Sequence, residues 1–219
     1  MNLQTISIGD AKLDIYGLSN FEDIDINKKR KMILICPGGG YSRLANREGE
    51  CIALKFNSFG YNAAILYYSV APSRYPKQLV EVSKAISYIR ENAQALNTDP
   101  DSIFVLGFSA GGHLAASIGT KWHEDWLTEE SGTTKEQRKP NGLILCYGVL
   151  TTIDSNKTHL GSVKALLGEK ENEVAMLEKI DNVFHVTENT PPSFIWHTWN
   201  DKSVPVWSSL LFAEKLLEH

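Results

Sequence analysis

Five short apolar runs, separated by helical patterns, constrain the fold of this chain more than any other feature. Each run is bounded by Gly, Pro, Asn or Asp and is too short for a helix of ordinary length, which predicts buried strands. The predicted strands are Met32–Cys36, Asn62–Tyr68, Ile103–Gly107, Leu143–Tyr147 and Ser193–Thr198. Because strands that alternate with helices form parallel sheets covered on both faces, we expect an α/β fold.

Apolar residues between these runs recur every three or four positions, as they do on the buried face of a helix. The spacing predicts helices over 52–59, with Gly60 as a stop, over 79–93 and over 206–217. The segment NTDPDS (97–102) is predicted to be a turn before the third strand.

The remaining segments complete the predicted organisation as a single domain over residues 1–219. Alternation with a period of two through residues 6–15 predicts an antiparallel strand pair at one sheet edge. Polar stretches at 121–141 and 151–192 interrupt the strand–helix alternation. The second is too long for a simple connection and contains a helix-like piece at 173–180, so we expect an insertion that partly caps the site.

Composition limits the partners and the compartment. A net charge of −4 gives no support for a nucleic-acid partner or an anionic membrane surface. No apolar run approaches the ~18 residues of a membrane span, and the first 17 residues lack the apolar stretch of a secretory signal. Cys36, Cys51 and Cys146 have no CxxC spacing. We therefore expect a cytoplasmic protein with free thiols and no metal site.

The motif Gly-Phe-Ser-Ala-Gly (107–111) follows the third predicted strand and opens a helical pattern. A strand-to-helix turn this sharp has no room for Cβ atoms at its glycines, and it lifts the central serine above the sheet. The N-terminus of the following helix favours a developing negative charge. Ser109 is therefore the predicted nucleophile; a structural serine in a Gly-rich turn is the alternative interpretation.

Three consecutive glycines, Gly38–Gly40, end the first predicted strand. Acyl chemistry needs two N–H donors aimed at the carbonyl oxygen as it becomes an oxyanion. Ala110 would supply one donor, and a glycine loop whose backbone can approach closely would supply the other. A flexible turn or a phosphate cradle is the alternative, although a phosphate-binding loop would place a lysine after its last glycine, and none follows here.

Asp201 lies in a loop directly after the last predicted strand. In serine hydrolases built on a strand–turn–helix motif, the catalytic acid follows the nucleophile along the chain and precedes the histidine. This order predicts Asp201 as the acid, with a loop or helix-capping Asp as the alternative.

The chain resembles the α/β-hydrolase serine esterases of the acetyl-xylan-esterase and acetyl-esterase type, also called sugar hydrolases. The resemblance covers most of the chain and is carried by CPGGGYSRLANREGE, FNSFGYNAAILYYSVAP, YPKQLVEVSKAISYIRENA, DPDSIFVLGFSAGGHLAA and PPSFIWHTWNDKSVPV. Tyr67-Tyr68 and Glu81 depart from the Tyr-Arg and Asp that are common in relatives. Both departures lie away from the proton chemistry and bear on substrate choice or packing.

The resemblance implies a three-layer α/β-hydrolase fold with a mostly parallel sheet and antiparallel N-terminal edge strands. It also implies a Ser-Asp-His enzyme that removes short acyl groups, often acetyl from a sugar hydroxyl, without a metal or cofactor. By motif, Ser109 matches the nucleophile and Asp201 the acid, while Gly39, Gly40 and Ala110 match the oxyanion donors.

No histidine of this sequence fits the catalytic base. The expected roles are structural for His113, solvated for His123 and His159, surface for His185, sheet core for His197 and terminal for His219. The fold places its histidine roughly 25–40 residues after the acid, beyond one more helix and strand, whereas 18 residues follow Asp201. We expect the base and a last strand to be missing from these residues, which leaves an unpaired edge that favours a homodimer.

Three functions remain open at this point. The first is a serine esterase acting on a small-molecule ester, most simply a short acyl ester of a carbohydrate. The second is a small serine peptidase of the same fold, since the same machinery serves both bonds. The third is a non-catalytic binding module on a hydrolase scaffold.

Overall fold

The computed structural model describes residues 2–219 and contains a seven-stranded sheet with the order β1-β2-β4-β3-β5-β6-β7. The strands are β1 (Asn2–Ile8), β2 (Ala11–Gly17), β3 (Arg30–Cys36), β4 (Asn62–Tyr67), β5 (Thr98–Phe108), β6 (Gly142–Cys146) and β7 (Ser193–Trp196). Strands β3 to β7 are parallel, whereas β1 pairs with β2, and β2 with β4, in antiparallel fashion. The predicted mostly parallel sheet with an antiparallel N-terminal edge is confirmed.

Eight α-helices accompany the strands in the described part of the chain: α1 (Glu50–Ser58), α2 (Lys77–Glu91), α3 (Ala110–Lys121), α4 (Asp125–Ser131), α5 (Lys135–Arg138), α6 (Leu160–Leu167), α7 (Val174–Ile180) and α8 (Trp207–Leu217). The three predicted helices correspond to α1, α2 and α8, and the helix-like piece at 173–180 is α7. Gly60 follows α1 with φ +86°, as expected of a stop. Between residues 2 and 219 no helix is long and apolar enough to cross a membrane.

The turn predicted over 97–102 is wrong, because β5 already begins at Thr98. Thr98 pairs with Arg30 across an irregularity in the β3–β5 ladder, and its hydroxyl accepts a hydrogen bond from the Asn62 side-chain amide at 2.9 Å. The chain turns before this strand, over residues 92–97, and the last turn residue, Asn97, has φ +50°. Pairing with the neighbouring strands therefore overrides the turn preference of this polar stretch.

The sheet separates two apolar layers of different size. The larger layer packs β-strand residues such as Leu34 and Val105 against α2 and α3, and it also includes Phe212 of α8. The smaller layer packs Ile35 and its neighbours against α1. On that second face the outermost strand is not covered, since Phe194 and Trp196 of β7 are 62% and 48% exposed. β7 also forms the sheet edge.

Within the segment 151–192, the buried Asp181 holds distant residues together, and the buried Asn182 joins the segment to α3. The Asp181 carboxylate accepts hydrogen bonds from Thr151 Oγ1 at 2.7 Å and from the Thr152 N–H at 2.6 Å. The Asn182 side-chain amide donates to the His113 carbonyl oxygen at 3.0 Å. Because fully buried polar groups are costly without partners, these contacts fix the segment against the rest of the fold. They also place the start of α6 beside the carboxyl ends of the strands.

Candidate active site

Ser109 lies at the turn between β5 and α3 in a backbone conformation that is rare for a residue with a side chain. Its φ and ψ are +53° and −117°. The turn is held by hydrogen bonds from the Ser109 N–H to the Cys146 carbonyl (3.0 Å) and from the Val149 N–H to the Ser109 carbonyl (3.2 Å). Strained residues of this kind persist where the surroundings over-determine them, which is common at catalytic sites.

Two glycines of the motif are required by close backbone approach. A Cβ on Gly107 would lie 2.1 Å from the Gly111 carbonyl oxygen, and a Cβ on Gly111 would lie 2.0 Å from the Cys36 carbonyl oxygen. Both distances are far inside van der Waals contact, and both neighbours are backbone atoms. The sharp turn inferred from the sequence therefore requires glycine at both positions, because any side chain there would clash with the backbone.

Gly111→Ala is expected to destabilise the fold by about 3 kcal/mol or more, since overpacking against fixed backbone is at the severe end of such substitutions. Gly17→Ala is the matched control, because its Cβ would meet no atom closer than 3.6 Å. Denaturant unfolding of both variants measures the difference, and equal free energies of unfolding would refute the steric account.

The glycine loop (residues 37–41) lies next to Ser109. Gly39 and Gly40 have φ values of +127° and +65°. Within residues 2–219, the N–H groups of Gly39, Gly40 and Ala110 have no hydrogen-bond acceptor. Ala110 is the first residue of α3, so its N–H is one of the groups that a helix leaves free.

The Glu48 carboxylate is hydrogen-bonded to the glycine loop. Its Oε2 accepts a hydrogen bond from the Gly38 N–H at 2.7 Å, and its Oε1 accepts one from the Tyr147 hydroxyl at 3.3 Å. The side chain is buried. A Cβ on Gly38 would lie 2.7 Å from Glu48 Oε2 and 3.1 Å from Ser109 Cβ, so loop, carboxylate and serine are tightly packed together.

Asp201 is held in its loop by its own backbone neighbours. Its Oδ1 accepts hydrogen bonds from the N–H groups of Ser203 (2.7 Å) and Val204 (3.0 Å). Its Oδ2 has no hydrogen-bond donor among residues 2–219 and lies 3.7 Å from His197 Nε2. One carboxylate oxygen is thus fixed and the other is free.

One cavity of about 590 Å³ brings most of the predicted site residues together. Ser109, Gly39, Gly40 and Asp201 all line it, and Ala110 follows Ser109 directly at the start of α3. This volume falls within the usual range for small-molecule sites. The remaining lining is mostly polar and includes Ser42, Arg43, Arg47, Glu48, Tyr147, His159, Trp196, Thr198 and Ser203.

The cavity residues that sequence reasoning missed include Glu48, Tyr147, His159 and Trp196. Glu48 stood in one of the stretches that carry the family resemblance, but a loop carboxylate alone predicts no role. His159, expected to be solvated, is half-buried and lines the cavity. The anchoring of the segment 151–192 to α3 brings its ring to the cavity wall.

The structural role expected for His113 agrees with its surroundings. The ring is buried, with Nδ1 2.7 Å from the Tyr41 hydroxyl and Nε2 2.9 Å from the Ile180 carbonyl oxygen. Nε2–H must donate to that carbonyl, so Nδ1 accepts from Tyr41. Burial is the main cause that lowers the pKa of His113 from 6.5 to about 4, with the Lys121 ammonium adding to it.

This lowered pKa predicts a loss of stability in mild acid. The unfolded chain protonates His113 near pH 6.5 and the folded chain only near pH 4. The contribution is therefore complete above pH 6.5 and is lost as the pH falls to 4, by about 3 kcal/mol at most. Denaturant unfolding between pH 7 and pH 4 measures it, and His113→Gln should flatten the slope. Parallel slopes for the two proteins would contradict the prediction.

The hydrogen bonds of His197 and His185 also go to groups other than the Ser109 hydroxyl. The His197 ring has Nδ1 2.7 Å from Ser209 Oγ and Nε2 2.9 Å from the Val204 carbonyl oxygen. His185 lies in a separate shallow pocket and contacts the Glu178 carbonyl. No ring nitrogen of the six histidines is hydrogen-bonded to Ser109 Oγ. His123, expected to be solvated, instead has a buried and unpartnered Nδ1.

Comparison with known proteins places this chain in a protein family. The model of the family BD-FAE matches residues 11–216. The chain belongs to the BD-FAE family. The α/β-hydrolase fold expected from the sequence is thereby confirmed, together with the family resemblance.

Two relatives of this BD-FAE chain are similar over most of its length. Endo-1,4-beta-xylanase B of Butyrivibrio fibrisolvens is 37% identical over 199 residues, which are 87% of this chain and 30% of that protein. The acetylxylan esterase of Xylanibacter ruminicola is 28% identical over 184 residues, 82% of this chain and 35% of that protein. The chain thus spans about a third of the length of these two relatives.

A solved structure is similar at the level of the fold as well. The acetyl ester-xyloside bifunctional hydrolase from Caldicellulosiruptor lactoaceticus is 38% identical, with a TM-score of 0.81 over 95% of this chain and 74% of that chain. This BD-FAE member and that hydrolase therefore share both sequence and backbone architecture.

Proposed function

We propose that this chain carries the nucleophile, the acid and the oxyanion donors of a serine esterase that cleaves short acyl esters, most simply acetyl esters of a sugar. The observation that carries the proposal is the meeting of Ser109, the free N–H groups of the glycine loop and Asp201 in one cavity. The similarity to an acetylxylan esterase and to an acetyl ester-xyloside hydrolase supports the acetyl and sugar parts.

The proposed reaction begins when Ser109 Oγ attacks the acyl carbon and its proton passes to a base. The carbonyl oxygen becomes an oxyanion, for which the N–H groups of Gly39, Gly40 and Ala110 are the proposed donors. The alcohol then leaves with a proton, and an acyl group remains on Ser109. Water hydrolyses this ester and restores the serine.

Asp201 would orient the base and stabilise it once protonated. Its Oδ1 is fixed by two N–H groups, while its Oδ2 stays free for a hydrogen bond. A base on the same side of the cavity could therefore donate a hydrogen bond to Oδ2 of a carboxylate whose orientation is already fixed through Oδ1. This arrangement of the two carboxylate oxygens supports the role of Asp201 as the acid.

The cavity lining supports an alcohol rich in hydroxyl groups. Arg43, Glu48 and Ser42 offer donors and acceptors, and Trp196, half exposed, offers a flat apolar face beside them. A few placed polar groups next to an aromatic surface are common in small-molecule sites. A cytoplasmic location and a homodimer paired through the β7 edge stay predictions from the sequence.

Mass spectrometry of the acyl-enzyme tests the function. Incubation with p-nitrophenyl acetate in the presence of imidazole, which supplies a base, should add one acetyl group to Ser109, whereas p-nitroacetanilide, the matched amide, should add none under the same conditions. Ser109→Ala should remain unmodified at this site. Acetylation by the amide at a comparable rate would favour the peptidase, and no acetylation by either compound would favour the binding module.

A further inference from the structure

His159 is a cavity residue to which the proposed reaction assigns no step. It precedes α6 and lines the same cavity as Ser109. Its ring lies beside the glycine loop, since a Cβ on Gly40 would be 3.8 Å from His159 Cε1. Gly161 packs close to the ring as well, where a Cβ would be 3.1 Å from Cε1. The ring therefore lies between Gly40 of the glycine loop and Gly161 of α6.

The contacts of His159 determine which ring nitrogen carries the proton. Its Nδ1 accepts a hydrogen bond from the Ser162 N–H at 3.1 Å and lies 2.8 Å from Ser162 Oγ. A nitrogen that accepts from a backbone N–H cannot itself be protonated, so the neutral ring carries its proton on Nε2. His159 is the N-cap of α6 through this contact. The fixed tautomer makes Nε2–H a donor.

This Nε2–H has no protein acceptor within residues 2–219. An acetyl group cannot supply one either, because its carbonyl oxygen is the atom that the oxyanion donors bind and its methyl group is apolar. The remaining acceptors of an acetylated sugar are the hydroxyl and ring oxygens of the alcohol part. When such an ester is bound, the acceptors it can offer to the donor beside the glycine loop are therefore the oxygens of the alcohol part.

We propose that His159 donates a hydrogen bond from Nε2–H to a hydroxyl or ring oxygen of the alcohol part, and so selects esters of polyhydroxylated alcohols over simple acetate esters. This inference rests on the proposed function. His159 is a specificity-determining residue in this account. It is not the base, because Nε2 already holds a proton and Nδ1 caps a helix.

Two substitutions of His159 distinguish its role as a hydrogen-bond donor through Nε2–H from its role as the N-cap of α6 through Nδ1. His159→Asn keeps a side-chain oxygen that can accept from the Ser162 N–H, as Asn does at N-caps, but is too short to reach the position of Nε2. His159→Gln can place an amide N–H near the position of Nε2 but is a poorer N-cap. Both are made in the Ser109→Ala background, so that bound esters are not cleaved.

Calorimetric titration with a monoacetylated methyl β-xyloside gives the main readout, and phenyl acetate, which has no hydroxyl group, is the control ligand. His159→Asn should weaken binding of the xyloside acetate about three- to tenfold, as for loss of one neutral hydrogen bond. It should leave binding of phenyl acetate and the Tm unchanged. His159→Gln should retain most of the affinity for the xyloside acetate and lower the Tm slightly.

Nitrogen NMR of the histidine rings checks the tautomer directly. The account expects the proton of His159 on Nε2, with a shift of that resonance when the xyloside acetate is added and none with phenyl acetate. Equal affinities of His159→Asn and its parent, a proton on Nδ1, or no binding of the xyloside acetate by the parent would each overturn the inference. Acetylation of Ser109 by p-nitrophenyl acetate would still stand in each case, so failure here is distinguishable from failure of the proposed function.

Discussion

Added imidazole is expected to accelerate acylation of Ser109 in this chain, because no histidine of the sequence is placed to take the serine proton. Without imidazole, the turnover rate of p-nitrophenyl acetate should be lower than that of an enzyme with a complete triad by a factor on the order of 10⁴–10⁶. Ser109→Ala measured under the same conditions gives the blank, since imidazole also hydrolyses this ester in solution.

The hydrogen bonds that the histidine rings already make explain this expectation. In both His113 and His197, Nδ1 lies within hydrogen-bond distance of a hydroxyl group and Nε2 within hydrogen-bond distance of a backbone carbonyl oxygen. His159 reaches the cavity, yet its Nδ1 is held by the Ser162 N–H. His123, His185 and His219 are not among the residues that line the cavity. A small base that diffuses into the cavity is expected to take the proton instead, because the proposed nucleophile and the glycine-loop N–H groups proposed as oxyanion donors line that cavity.

Ordinary enzymatic turnover by these 219 residues without imidazole would contradict the prediction. A resident histidine would then have to turn its ring toward Ser109. His197→Gln and His159→Asn, measured separately, would show which one does so.

The second large effect is expected at Gly39. A Cβ there would lie 2.1 Å from the Arg43 carbonyl oxygen, so Gly39→Ala must move the glycine loop. Loss of one oxyanion donor should lower the imidazole-assisted acylation rate by about 10²–10³. Because the displaced segment is partly exposed, we expect the overall fold to persist.

Gly40→Ala is the matched control for this prediction. A Cβ on Gly40 would meet no atom closer than 3.7 Å. Its positive φ should cost about 1–2 kcal/mol of stability, but the loop need not move and most of the rate should remain. Stopped-flow acylation and urea unfolding of both variants provide the comparison. A Gly39→Ala protein that is folded and reacts at the parental rate would exclude this N–H from the oxyanion site.

The sequence predicts the centre of the sheet well because the central strands are buried on both faces. Continuous apolar runs such as 32–36 and 103–107 mark strands that cannot be surface loops. It predicts Ser109 and the glycine loop for a related reason, since a sharp turn leaves a glycine pattern in the chain. The boundary at Thr98 was missed because it depends on pairing with a strand distant in sequence.

The rest of the site depends on contacts that no local pattern records. Glu48 matters through a hydrogen bond to Gly38, which only the folded loop reveals. His159 reaches the cavity through a segment that Asp181 holds together and that Asn182 joins to α3, and both of these residues are distant from His159 in sequence. Such residues become visible only when the tertiary structure brings distant segments together.

Intact-mass measurement after treatment with a serine-directed phosphonate tests the central claim most directly. The protein is incubated with the reagent and imidazole, then digested to locate the modified peptide. The account predicts a single adduct, on Ser109, and none in Ser109→Ala. An adduct that survives in Ser109→Ala, or an unmodified Ser109 after reaction is complete elsewhere, would show that this serine is not the nucleophile.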